Sequence, residues 1–218
     1  MDCKKSLSMG AAALALALLA GCAALAPLPD YDALVAQMMG ASFRDEGIAR
    51  VDRLQQDPAN AACSKAEGGQ PPAEVAQAIQ QAALSSVRPP ADGRYIGDWR
   101  EGEKLAQNGR GMTWTDKSAA PAANGGNCYN CHMISPAEIS YGTLGPSLYQ
   151  YGRKRGIVDP AAASARPVVE YTWTKLWNAK AYNACSGMPR FGHAGLLDEK
   201  QLKDLMALLL DPTSPVNQ

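Results

Sequence analysis

The chain has 218 residues with 21 basic and 21 acidic side chains and two histidines. A balanced charge of this kind excludes the broad basic field that nucleic-acid binding requires, so partners have to be sought in local patches. With only two histidines and no nucleophile elbow ahead of His193, a Ser-His-Asp hydrolase is not expected.

The first segment carries Asp2, Lys4 and Lys5 and then an Ala/Leu run from Ala11 to Ala20 that is too short to span a bilayer comfortably. That pattern predicts a secretory signal peptide over 1–21. Its end, Leu19-Ala20-Gly21-Cys22, resembles the lipobox of bacterial lipoproteins, which implies lipidation of Cys22 as the new N-terminus. Cleavage at Gly21-Cys22-Ala23 without lipid is the plainer alternative, and either route takes the protein to the periplasm. The remaining 197 residues hold 19 basic and 20 acidic side chains and no further apolar run long enough to cross a membrane, so any membrane attachment is by lipid only.

Residues 22–94 read as a helical N-terminal extension. Leu34, Val35, Met38 and Met39 fall at helical spacing and predict helix over 31–56, broken near Gly40. A loop carrying Cys63 and the breaker Gly68-Gly69-Gln70-Pro71-Pro72 leads to a helix over 73–84 with Val75, Ile79 and Ala82 or Ala83 inward. These residues are too few and too alanine-rich for a core of their own and are expected to pack on the domain C-terminal to them.

The main domain, 95–218, opens with a helix over 99–108, capped by Asp98 with Glu101 completing a capping box and Gly109 ending it. Residues 111–127 read as an unusually long loop. Val169, Trp173, Leu176 and Trp177 predict an amphipathic helix behind Pro167. The last helix has Asp198 and Gln201 as a capping box, Leu197 and Leu202 as a staple, and an apolar face of Leu202, Leu205, Met206 and Leu209. No alternating run reads as a strand, so the fold class is all-α.

The chemistry lies in Cys128-Tyr129-Asn130-Cys131-His132. Two thiols one turn apart with histidine directly behind them is the attachment signature for one covalently bound haem c, with His132 on the iron. A redox dithiol, a zinc site and a plain disulfide are the competing readings. The dithiol expects a βαβ unit, and zinc expects a second ligand pair beyond the scattered Cys63, Cys185 and His193. For the second iron ligand, Met188 lies in a loop flanked by Gly187 and Pro189, whereas Met206 belongs to an apolar helix face, Met133 adjoins His132 and Met112 sits on the long loop. His193 is the rival. A thioether ligand raises the potential and implies a fairly high-potential carrier.

This order of features, helix, Cys-x-x-Cys-His, the Gly145-Pro146-Ser147-Leu148 loop, middle helix, Met loop and final helix, resembles the class I cytochrome c fold over about 95–211. The resemblance implies that the first helix crosses the last at Gly102, that Leu105 meets Leu205 or Leu209, and that the Pro146 loop carbonyls orient the ligand histidine. Within that class, Gly126 to His132 together with Met188-Pro189-Arg190-Phe191-Gly192 is similar to SoxX, the small haem subunit of the SoxAX thiosulfate-oxidising cytochromes. That likeness implies a heterodimer with a SoxA-like haem subunit, a SoxYZ carrier whose cysteine receives thiosulfate, and a small soluble cytochrome c as electron acceptor. Enzymatic activity would then belong to the complex. A free-standing periplasmic monohaem carrier and a haem-based ligand sensor are the alternatives.

Cys63 and Cys185 remain, and in an oxidising compartment their even number makes them a candidate disulfide between the extension and the Met188 loop; two unpaired thiols is the alternative. Arg153-Lys154-Arg155, with Lys175, Lys180 and Arg190, is a candidate docking face for an acidic partner or simply solvated surface. Trp173 and Trp177 are assigned to core and pocket wall, with no redox role.

Overall fold

The computed structural model describes residues 28–66 and 69–218. The signal peptide over 1–21 and the candidate lipid site Cys22 lie outside the described residues, as does Gly68. The chain divides after Arg44.

The first unit contributes one described helix, α1 (Tyr31–Ser42). Asp30 caps it by accepting from the Ala33 N–H at 3.0 Å, and none of its residues is buried. It runs through Gly40 without a break, but it stops far short of residue 56. Phe43 is extended, and just beyond it the Asp45 carboxylate accepts from the Val51 N–H while Glu46 and Ala49 pair around Gly47 at φ +55°. Side-chain bonds to backbone and a left-handed glycine thus give the chain a turn in place of more helix.

The second unit, residues 45–218, holds everything else. Its helices are α2 (Pro58–Lys65), α3 (Ala73–Ser85), α4 (Trp99–Gln107), α5 (Arg166–Trp177) and α6 (Glu199–Leu210), joined by loops with short 3-10 turns. Among the described residues the only β-type pairing is the Glu46–Ala49 bridge, so the fold is all-α. Cys63, expected in a loop, sits on α2. That helix is started by Asp57, whose side chain accepts from the Asn60 N–H, and by Pro58 with its helix-compatible φ. On α3 the inward residue is Ala83, while Val75 is 36% exposed.

The core is built on α4 crossing α6. A Cβ at Gly102 would stand 2.1 Å from the Asp204 carbonyl oxygen, so the close approach is open only to glycine. Beside the crossing, Gly97 N–H donates to the Lys203 carbonyl and Asp98 N–H to the buried Asp204 carboxylate, both at 2.9 Å. Asp98 caps α4 through the Arg100 N–H, and Glu101 turns to Lys104 at 2.8 Å in place of closing a box. The box at Asp198 and Gln201 does close, and α6 is buried along Leu202, Leu205, Met206, Leu208, Leu209 and Leu210.

Helix α5 lays Val169, Trp173 and Leu176 on this core. The 45–94 segment is tied to it: the Trp173 Nε1–H donates to the Arg88 carbonyl at 2.8 Å, and Lys203 reaches both Asp92 and Glu199 at 2.8 Å. Buried Asn217 uses its whole amide, accepting from Gly152 and Arg153 N–H and donating to the Leu209 and Asp211 carbonyls. No helix among the described residues is long and apolar enough to cross a membrane.

Candidate haem-attachment site

The loop behind α4 delivers the cysteines. Gly126 N–H donates to the Leu105 carbonyl at 2.8 Å and Asn127 N–H to the Asn108 carbonyl at 3.0 Å, so the chain is hooked to the end of α4 immediately before Cys128. Asn127 takes a left-handed turn, and Cys128–Asn130 then form one 3-10 turn. The Cys131 and His132 N–H groups both donate back to the Cys128 carbonyl, at 3.1 and 2.9 Å. Both cysteines and the histidine are therefore fixed within a single turn.

Cys128 and Cys131 are free thiols, not a disulfide. Burial, reinforced by the neighbouring Cys131, pushes the Cys128 thiol up to about 12.

The histidine is held from behind. Its Nδ1 lies 2.7 Å from the Pro146 carbonyl oxygen, which selects the tautomer with Nδ1–H donating and leaves Nε2 as the free lone pair. Gly145 makes room for the ring: a Cβ there would stand 2.1 Å from Cε1 and 2.4 Å from Nδ1. The loop itself is pinned to the cysteine turn, because Gly145 N–H donates to the Cys131 carbonyl and Leu148 N–H to the Met133 carbonyl.

Cys128, Trp177 and Met188 all pack against the one core, and Met188 is half-buried. Met206 is buried on α6 and Met133 is half-buried beside His132. His193 is exposed and lines a groove of 640 Å³ between α2, α3 and the 178–193 segment, and none of Cys128, Cys131, His132 or Met188 lines that groove. Cys63 and Cys185 are joined by a disulfide with Cα atoms 5.5 Å apart.

Sequence reasoning did not single out the indole nitrogen of Trp177. It is buried and has no hydrogen-bond partner, while Gly192 lies so close to the ring face that a Cβ would approach Cε3 to 2.5 Å. An unpaired buried N–H is costly. The expected basic face is thinner than the sequence suggests. Lys180 is buried and donates to the Ala184 carbonyl, Arg190 pairs with Asp57 and the half-buried Lys175 lies over the Tyr182 ring, which leaves the exposed Arg153, Lys154 and Arg155 as the outward charges, Arg155 stacked on Tyr151 at 3.6 Å.

The residues present fit a covalently held haem: two free thiols on one turn and an imidazole presented through Nε2. They do not fit zinc, since among the described residues no three His, Cys, Asp or Glu side chains gather to hold a metal ion. No protein-family model matches the chain. A protein of Aquifex aeolicus (strain VF5) described as an uncharacterized lipoprotein is 34% identical over 177 residues, which is 79% of this chain and 76% of the relative.

Proposed function

Since this chain belongs to the same family as that lipoprotein, we propose that it is an exported c-type cytochrome, anchored by lipid at Cys22 in the periplasm, that passes single electrons. The observation that carries the reading is the cysteine turn followed by an imidazole whose Nδ1 is held on the Pro146 carbonyl, 2.7 Å away. Cys128 and Cys131 would hold a haem through thioether bonds made by addition of each S–H across a vinyl group, His132 would bind the iron through Nε2, and Met188 would supply the second ligand. When bound, haem provides a one-electron ferric/ferrous couple, and a thioether ligand sets that couple at a fairly high potential. Cys128 and Met188 both pack against the apolar core, which would shield that side of the haem from water.

A pyridine haemochrome spectrum with the mass of the purified protein tests this directly. Expected are one haem per chain and a mass increased by one tetrapyrrole, both lost in the Cys128→Ala, Cys131→Ala double variant. A colourless protein from the native host refutes the reading. The finer proposal is a class I cytochrome c fold in a SoxX-like subunit of a SoxAX-type complex, supported by the Gly126–His132 and Met188–Gly192 motifs and by the α4–α6 crossing at Gly102. Co-purification of a second haem subunit, with loss of growth on thiosulfate after deletion, is the expected result. Isolation alone with unchanged growth identifies a free-standing carrier.

A further inference from the structure

The segment Cys185–Arg190, which carries Met188, has little of its own to hold it. Its backbone bonds run only to near neighbours: Cys185 N–H to Asn183 Oδ1 at 3.1 Å, Ser186 N–H to the Asn183 carbonyl at 3.0 Å, and Met188 N–H to Ser186 Oγ at 3.3 Å. Gly187 and Pro189 are exposed, and a Cβ at Gly187 would meet nothing within 4 Å. Yet both ends of the segment are fastened to the same helix, α2. At one end Cys185 is bonded to Cys63, and at the other the half-buried Arg190 guanidinium pairs with Asp57.

The two anchor points belong together. Asp57 is the cap of α2 and uses one carboxylate oxygen for the Asn60 N–H at 2.9 Å and the other for Arg190. Cys63 lies six residues later, roughly 9 Å along a helix axis, and the segment between Cys185 and Arg190 spans that interval. A rigid element thus grips a short, glycine-containing loop on both sides of its methionine, where an unsupported loop of this composition would sample many conformations.

We propose that α2, through Asp57 and the Cys63–Cys185 bridge, is the positioning element that holds Met188 as an iron ligand. This role rests on Met188 being the second ligand of the proposed haem. Asp57, Cys63, Cys185 and Arg190 are positioning residues, acting on the ligand only through the loop.

The test uses haem-loaded protein of the full chain in two variants, Asp57→Asn and Cys63→Ser with Cys185→Ser. Asparagine caps a helix about as well as aspartate, so the first variant removes the charge pair while keeping α2. In both, amide exchange across 185–192 is expected to quicken by about tenfold or more while α6 keeps its protection. The near-infrared Met-to-iron band of the ferric form is expected to weaken, the ferrous form to begin binding carbon monoxide, and the attached haem by mass to stay at one per chain. Unchanged exchange across 185–192 in both variants overturns the proposal. So does a band of full strength in both. A wild-type protein that lacks the band and whose spectrum is unaltered by Met188→Ala overturns the ligand reading as well, which separates the two failures.

Discussion

Gly145 and Trp177 show how much single atoms decide at this site. A methyl group at Gly145 would overlap the His132 ring, so Gly145→Ala must swing the imidazole off the Pro146 carbonyl. Losing a bond that orients a metal ligand costs roughly ten- to a hundredfold in metal affinity, so in haem-loaded protein added imidazole should displace His132 from the iron at a correspondingly lower concentration. Trp177→Phe keeps the ring and deletes the orphaned N–H. In haem-free protein this change should be neutral or stabilising, since an unsatisfied buried donor costs about 1–3 kcal/mol. Denaturation curves of the variant beside the parent protein check it. The Cys128–His132 turn is legible in the sequence because its five residues are consecutive and bond back to one carbonyl. The Asp57–Arg190 pair is not, since its members lie 133 residues apart and only the tertiary fold introduces them.

Among the elements, α6 is the most legible, because capping box, staple and apolar stripe all agree along one short segment. Helix α2 is the least. Its sequence, Pro-Ala-Asn-Ala-Ala-Cys-Ser-Lys, has no apolar periodicity, and the Asp57-Pro58 start signal stands alone. The expected helix over 31–56 fails for the converse reason: periodicity among Leu34, Val35 and Met38 says nothing about where Asp45 and Gly47 turn the chain. The α4–α6 crossing gives the sharpest mutational expectation. Gly102→Val must push apart helices whose backbones touch, and overpacking of this kind costs about 1–3 kcal/mol or more. A lowered urea midpoint with an unchanged slope would register it.

Residues 45–218 are held together across long sequence distances. The Cys63–Cys185 bridge spans 122 residues, and in the chain-entropy account its removal costs about 4–5 kcal/mol, which thermal unfolding with and without reductant should reveal. Acid should loosen the same region. Burial works to raise the Asp57 carboxyl, but the Asn60 N–H and the Arg190 guanidinium outweigh it and hold it below its ordinary 3.8. A carboxyl lowered in the folded state stabilises above its unfolded value, and that contribution disappears as pH falls from about 4 through the folded value. Unfolding monitored between pH 6 and pH 2 should therefore show stability declining below about 4, and less steeply in Asp57→Asn. The same bridge also constrains how the protein is made. The four cysteines of the described residues admit three pairings, and the two nearest in sequence are the ones the proposed haem would take. In an oxidising host without haem-attachment machinery, Cys128 and Cys131 stand open to bonding with each other or with Cys63, so recombinant yield should depend on supplying the haem ligase before the oxidant acts.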